Sequence, residues 1–194
     1  TLTRSSAASD VYKRQPKSDH NAAHYFIESH LESGRGEAIA FIEAASSKRI
    51  SYGTLSANSS KVAGALTKAG IKREERAAIL MLDSIDYVEI FWGCLKAGVI
   101  AVPINTLLAG AVYDTILSDS RASCLFVSAA LLQVVKPVLA KNDHIRKVIV
   151  VGDHPVEDGF ESYQTFTKGA PKQLAVAVSP DETAFWLYSS GSTG

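Results

Sequence analysis

The chain has 194 residues, 46% hydrophobic and 21% charged, an ordinary globular composition with length enough to enclose a core. Lys plus Arg and Asp plus Glu stand at 20 each, so no net field argues for nucleic acid or an anionic membrane surface as a partner. No apolar run reaches the roughly 20 residues that span a bilayer, and no charged start with a hydrophobic middle marks a secretory signal.

Thr1 to Gln15 has no apolar period and no continuity with the residues after it. Residues 1–15 therefore read as a non-native or disordered leader outside the expected fold. Their Ser and Arg content also suits a transit peptide. The folded region is expected over residues 21–194. Asn21 is placed to cap a helix that runs through Tyr25, Phe26, Ile27 and Leu31 to a Gly34-Arg35-Gly36 stop. Ala38 to Glu43 and Arg49 to Tyr52 read as two strands of a hairpin. Thr54 to Lys68 is a long helix ended by Gly70. Glu74 and Glu75 read as a solvated turn rather than a catalytic carboxylate pair.

The run Ala77 to Leu82 is apolar without a break, the mark of a strand buried on both faces. Asp86 is expected to cap the next helix, Tyr87 to Ala97, which Gly98 ends. Val99 to Val102 is the next buried strand. Ala111 to Asp119 comes next as a helix, Ser123 to Val127 as a strand, Ala129 to Lys141 as a helix and Lys147 to Val151 as a strand. This alternation implies an α/β fold, a mostly parallel sheet flanked by helices, with right-handed crossovers. Gly152 to Pro180 is more polar, with a short helix near Ser162 to Phe166. No internal repeat or low-complexity region is present. Cys94 and Cys124 each lie in an apolar run, far apart, with neither a disulfide framework nor zinc spacing. They read as buried reduced thiols, which points to the cytoplasm. His20, His24, His30, His144 and His154 stand in unrelated contexts, suited to surface or helix-packing roles rather than to a metal.

The functional signal is at the end. Ala184-Phe185-Trp186-Leu187-Tyr188 has the length and aromatic content of a buried strand, and Ser189-Ser190-Gly191-Ser192-Thr193-Gly194 comes directly after it. Glycine lets a ligand approach the backbone, successive N–H groups converge on an anion, and the hydroxyls rotate to suit several oxygens. The tail reads as half of a nucleotide triphosphate site. A flexible linker rarely grows straight out of Phe-Trp-Leu-Tyr. The ATPase P-loop needs a Gly-Lys-Ser/Thr ending that is absent here, and the stretch from Gly191 lacks the G-x-S-x-G spacing of a nucleophile elbow.

Tyr188 to Gly194 resembles the phosphate-binding loop of the adenylate-forming (AMP-dependent synthetase/ligase) superfamily. In that superfamily the loop usually continues with a variable residue and Pro-Lys-Gly. Three stretches resemble its benzoate-CoA and hydroxybenzoate-CoA ligase branch: Asn21-Ala22-Ala23 into Tyr25-Phe26-Ile27, then Val102 to Leu108, then Ala184 to Tyr188. The resemblance implies that residues 21–194 are the N-terminal portion of the large AMP-binding domain, truncated at the phosphate loop, and inactive as they stand.

The resemblance further implies ATP with Mg²⁺ and CoA, acting on a small aromatic carboxylate, with no nucleic-acid or membrane partner. Ser189, Ser190, Gly191, Ser192, Thr193 and Gly194 carry the phosphate role by matching position. No catalytic or metal-binding residue is assignable in this stretch. Asn105 and Thr106 are expected to turn the chain after their strand. Two other readings stand beside this one: a non-catalytic α/β nucleotide-binding module, and another acyl-CoA synthetase of the same superfamily.

Overall fold

A computed structural model describes residues 20–155 and 157–189. The expectation for residues 1–15 lies outside the described residues. The first helical region has a π-helical stretch, His24–Glu28, that runs into α1, Ser29–Glu32. Asn21 opens it, its side-chain oxygen accepting from the Ala23 amide at 3.0 Å. The Asn21 amide group donates to the carbonyls of Leu95 (2.8 Å) and Val176 (3.1 Å), fixing the helix to two distant segments.

The hairpin is present as β1, Ile39–Ile42, and β2, Arg49–Ser51, paired antiparallel. Ser51 caps α2, Tyr52–Lys68, through a bond from the Thr54 amide. β3, Arg76–Leu80, leads to α3, Ile85–Ala97. Here the expectation is corrected: Ser84, not Asp86, caps α3, accepting from the Tyr87 amide at 3.2 Å. Asp86 already lies inside the first turn, where it supplies negative charge to the positive end of the helix. Glu43 of the hairpin accepts from the Ile85 amide at 3.0 Å, which ties the hairpin to the same helix start. β4 is Ile100–Pro103, α4 is Gly110–Ser120 and β5 is Cys124–Ser128. A 3₁₀ turn, Ala129–Leu131, precedes α5, Leu132–Leu139. β6 is Lys147–Val151, β7 is Glu161–Ser162 and α6 is Tyr163–Thr167.

The hairpin stands apart. The other five strands form one parallel sheet in the order β4-β3-β5-β6-β7. Successive residues of β3, β4, β5 and β6 enter opposite helix layers. Ala77, Ile79, Phe126 and Ile149 pack with Val62, Leu66, Ile90 and Cys94 of α2 and α3. Ala78, Leu80, Leu125 and Val150 pack with Tyr113, Leu117, Leu132 and Val135 of α4 and α5. Burial on both faces is why the strands read as unbroken apolar runs rather than as alternation. α3 covers one face and α4 the other, as right-handed crossovers demand when the chain reverses its direction across the sheet.

α2 and α3 approach closely because Gly93 has no side chain. A Cβ there would stand 2.5 Å from the Val62 Cβ. Beside them lies a buried polar cluster. The Lys96 ammonium pairs with Glu28 and donates to the Ser56 carbonyl (2.9 Å), the Ser56 hydroxyl (3.2 Å) and the Ser60 hydroxyl (3.0 Å). Burial pulls the Lys96 pKa below the usual lysine range, and the Glu28 carboxylate opposes that pull.

After α6 the chain returns across these helices. Gln173 donates its amide to the Ser60 carbonyl, and Val176 to that of Lys96. Arg73 grips Glu182 with two nitrogens. Ala184 to Tyr188 is thereby delivered to the free edge of β4.

Candidate functional site

The aromatic run does not become the buried strand that its composition suggests. It makes one parallel bridge, Phe185 opposite Ala101. Trp186 donates its amide to the Ala101 carbonyl at 2.9 Å, and Ala101 donates to the Ala184 carbonyl at 3.3 Å. The reason lies in β4. Donors on one edge of a strand come from alternate residues, so the next donor after Ala101 would be residue 103. That residue is Pro103, which has no N–H, and the ladder stops. Phe185 and Leu187 remain exposed, and Trp186 is partly buried against the α4–α5 core.

The sheet is parallel and the bridge aligns Phe185 with it, while Trp186 and Tyr188 reach back to Arg76 and to the last turn of α4, beside the amino ends of β3 and β5. Side-chain contacts hold its last residues. Phe185 packs on Phe91 of α3, ring centroids 5.7 Å apart. The Arg76 guanidinium lies 5.7 Å from the Trp186 ring centre. Arg76 also donates to the carbonyls of Ser120 (2.7 Å) and Arg121 (3.1 Å), closing the end of α4. The Tyr188 hydroxyl donates to an Asp119 carboxylate oxygen at 2.6 Å. Partial burial and the Asp119 bond push the Tyr188 pKa up to about 12, so the phenol keeps its proton.

Of the expected phosphate-loop residues, Ser189 is described and exposed, one residue past Tyr188. Ser190, Gly191, Ser192, Thr193 and Gly194 lie outside the described residues. The supports Ala101, Pro103, Arg76 and Asp119 were not legible in the sequence, because each acts through a pairing between distant segments. Asp119 carries one local hint: an acid in the last turn of a helix opposes the helix dipole.

At the switch point between β3 and β5 an open groove of about 550 Å³ is lined by Ser84, Asp86, Ser128, Gly152, Asp153 and His154. Burial raises the Asp86 pKa. Among the described residues no group of three or more His, Cys, Asp or Glu could hold a metal ion, and no helix is long and apolar enough to cross a membrane.

Both cysteines are free and buried. Burial pushes the Cys94 thiol to about 12 and raises Cys124 well above the usual range, so neither serves as a nucleophile. His30 stacks on Tyr52 at 3.8 Å, and His144 is exposed. Asn105 turns the chain as expected, accepting from the Leu107 amide at 2.9 Å. Glu75 differs from the expected solvated loop residue. It is half-buried, accepting from the Lys72 amide and pairing with Arg146 at 2.8 Å.

A family model described as AMP-binding enzyme matches residues 28–194. The 4-hydroxybenzoate–CoA/benzoate–CoA ligase of Rhodopseudomonas palustris is 36% identical over 182 residues, covering 92% of this chain and 33% of that protein. An anthranilate CoA ligase, AuaEII, solved in complex with anthranoyl-AMP, superposes with a TM-score of 0.82 at 29% identity, covering 96% of this chain and 34% of that one. A benzoate CoA ligase from Burkholderia xenovorans LB400 superposes at 0.73 with 32% identity, covering 87% and 32%. The chain thus spans about a third of the length of each of these relatives. With the match running through the sheet, its helices and the Ser/Gly tail, the chain belongs to the AMP-binding enzyme family.

Proposed function

We propose that this chain is the N-terminal portion of an aryl-CoA ligase, a cytoplasmic enzyme that activates an aromatic carboxylate with ATP. A carboxylate oxygen attacks the α-phosphorus of ATP. The bond to the bridging oxygen breaks, giving an acyl-adenylate and pyrophosphate. The sulfur of CoA then attacks the acyl carbon, AMP leaves, and the thiol proton passes to solvent.

In this reading Ser189, Ser190, Gly191, Ser192, Thr193 and Gly194 hold the β- and γ-phosphates. Negative charge builds there as pyrophosphate departs, and donors already in position stabilise it more than water would. The observation that carries the proposal is the parallel seating of the Phe185 segment on the edge of β4, with the Ser/Gly tail directly after it in the chain. The choice of an aryl acid rests on what the similar ligases are named for. Mg²⁺ accompanies the nucleotide in this reading. Among the described residues no cluster of three or more His, Cys, Asp or Glu is present, and no step is assigned to the ion.

The test is ATP–pyrophosphate exchange by the protein made from the extended reading frame. Exchange that depends on benzoate or a hydroxybenzoate is expected. Exchange with fatty acids alone would overturn the aryl assignment, and none with any carboxylic acid would overturn the ligase reading.

A further inference from the structure

The tail's function depends on where its first residue is held, and one contact there uses an unfavourable residue. Asp119 is the penultimate residue of α4, whose last turn carries no basic side chain. A carboxylate at that end faces the carbonyl end of the helix dipole, an unfavourable arrangement. A residue that breaks a local preference marks a place where another requirement prevails.

That requirement is the anchoring of the tail. The Asp119 carboxylate accepts from Tyr188 at 2.6 Å, and Tyr188 immediately precedes Ser189. The backbone ladder holding the run ends at Trp186 because Pro103 offers no further donor. Past that point the Tyr188 side chain takes over from the backbone. Arg76 joins the same assembly, binding the end of α4 with its nitrogens while its guanidinium lies over the Trp186 ring.

We propose that Asp119 and Tyr188 are positioning residues for triphosphate binding, anchoring the root of the phosphate loop to the end of α4 where Pro103 has ended backbone pairing. This rests on the reading of Ser189 to Gly194 as the phosphate loop. A charge-assisted bond of this kind limits the directions from which the loop starts. Its loss adds an ordering cost that falls on ATP and not on the aryl acid.

The test uses the protein from the extended reading frame, carrying Tyr188→Phe, Asp119→Ala, Asp119→Asn or the Phe/Ala pair. Tyr188→Phe and Asp119→Ala should each raise the KM for ATP about three- to tenfold, with the KM for the aryl acid within about twofold. The pair should be no worse than either single change. Asp119→Asn keeps an oxygen acceptor for the phenol and should remain within about twofold of wild type.

An unchanged KM for ATP, or equal rises for both substrates, overturns the anchor. Amide hydrogen exchange over residues 184–189 separates this failure from that of the enzymatic reading. If the wild type shows no exchange of pyrophosphate with any acid, the ligase reading fails. The anchor then still requires faster amide exchange in Tyr188→Phe than in wild type, and equal rates overturn it.

Discussion

Replacing Lys96 by Met deletes a cation whose side chain is 0% exposed, while its partner Glu28 is 16% exposed. The methionine keeps the apolar stem, so the change is mainly electrostatic. Four acceptors lose a donor: the Glu28 carboxylate, the Ser56 carbonyl, the Ser56 hydroxyl and the Ser60 hydroxyl. The Ser60 hydroxyl can turn to a carbonyl of its own helix. Glu28 keeps a bond from the Ser56 hydroxyl, 2.9 Å to one oxygen. Breaking a buried pair from one side costs about 3–5 kcal/mol, and the partial access of Glu28 to water puts this case near the lower end, about 3 kcal/mol. For a chain of this size that lowers the melting temperature by roughly 6–12 °C.

The assay is urea unfolding followed by the fluorescence of Trp92 and Trp186. The partner experiment is Glu28→Leu with Lys96→Met, which exchanges the pair for apolar groups of similar volume. That double variant should lie within about 1 kcal/mol of wild type, because the desolvation of both charges disappears together with their attraction. A single Lys96→Met variant within about 0.5 kcal/mol of wild type would refute the reasoning, because that is the scale of an ordinary surface change. A double variant as unstable as the sum of its singles would do the same.

Two further outcomes are expected from other parts of the molecule. Glu89 is buried, accepting from Asn58 (2.7 Å) and Tyr163 (3.0 Å), and burial raises its pKa above the ordinary 4.5. The folded chain therefore binds this proton more tightly than the unfolded chain, so its contribution is complete below pH 4.5 and is lost as pH rises through the folded value. Glu89→Gln should remove that decline. Urea midpoints from acid to neutral pH, compared as wild type minus variant, test it, and a flat difference contradicts the assignment. The rings of Tyr25, Phe26, Trp92, Phe91 and Phe185 form a continuous row with centroid spacings of 4.9, 5.9, 5.3 and 5.7 Å. Tyr25 and Phe26 are 66% and 54% exposed. The 194-residue chain should self-associate through this patch, and Tyr25→Ser with Phe26→Ser should weaken association without loss of fold. Sedimentation that is strictly monomeric for the wild type at every concentration would argue against it.

The parallel sheet was legible in the sequence because burial on both faces writes itself as uninterrupted apolar runs. Ala77 to Leu82 and Cys124 to Val127 show the pattern, and helix-period segments between them leave few alternatives. The ends of helices were mostly legible for a similarly local reason, since caps and glycine stops act within a few residues. Asp86 and Ser84 show the limit, two polar residues close enough in sequence for either to fit. The aromatic run reads as a buried strand and yet pairs only once, for a different reason. Its composition reports the capacity to pair and not the presence of a partner with donors.

The sequence by itself determined the α/β class, the order of the buried strands and the Ser/Gly tail, since each depends on neighbours along the chain. Tertiary structure alone decided that Pro103 ends the pairing after a single bridge, that Lys96 meets Glu28 across two helices, and that Asp119 reaches Tyr188. The last of these contacts joins residues 69 positions apart, and no local pattern records the distance between such groups once the chain has folded.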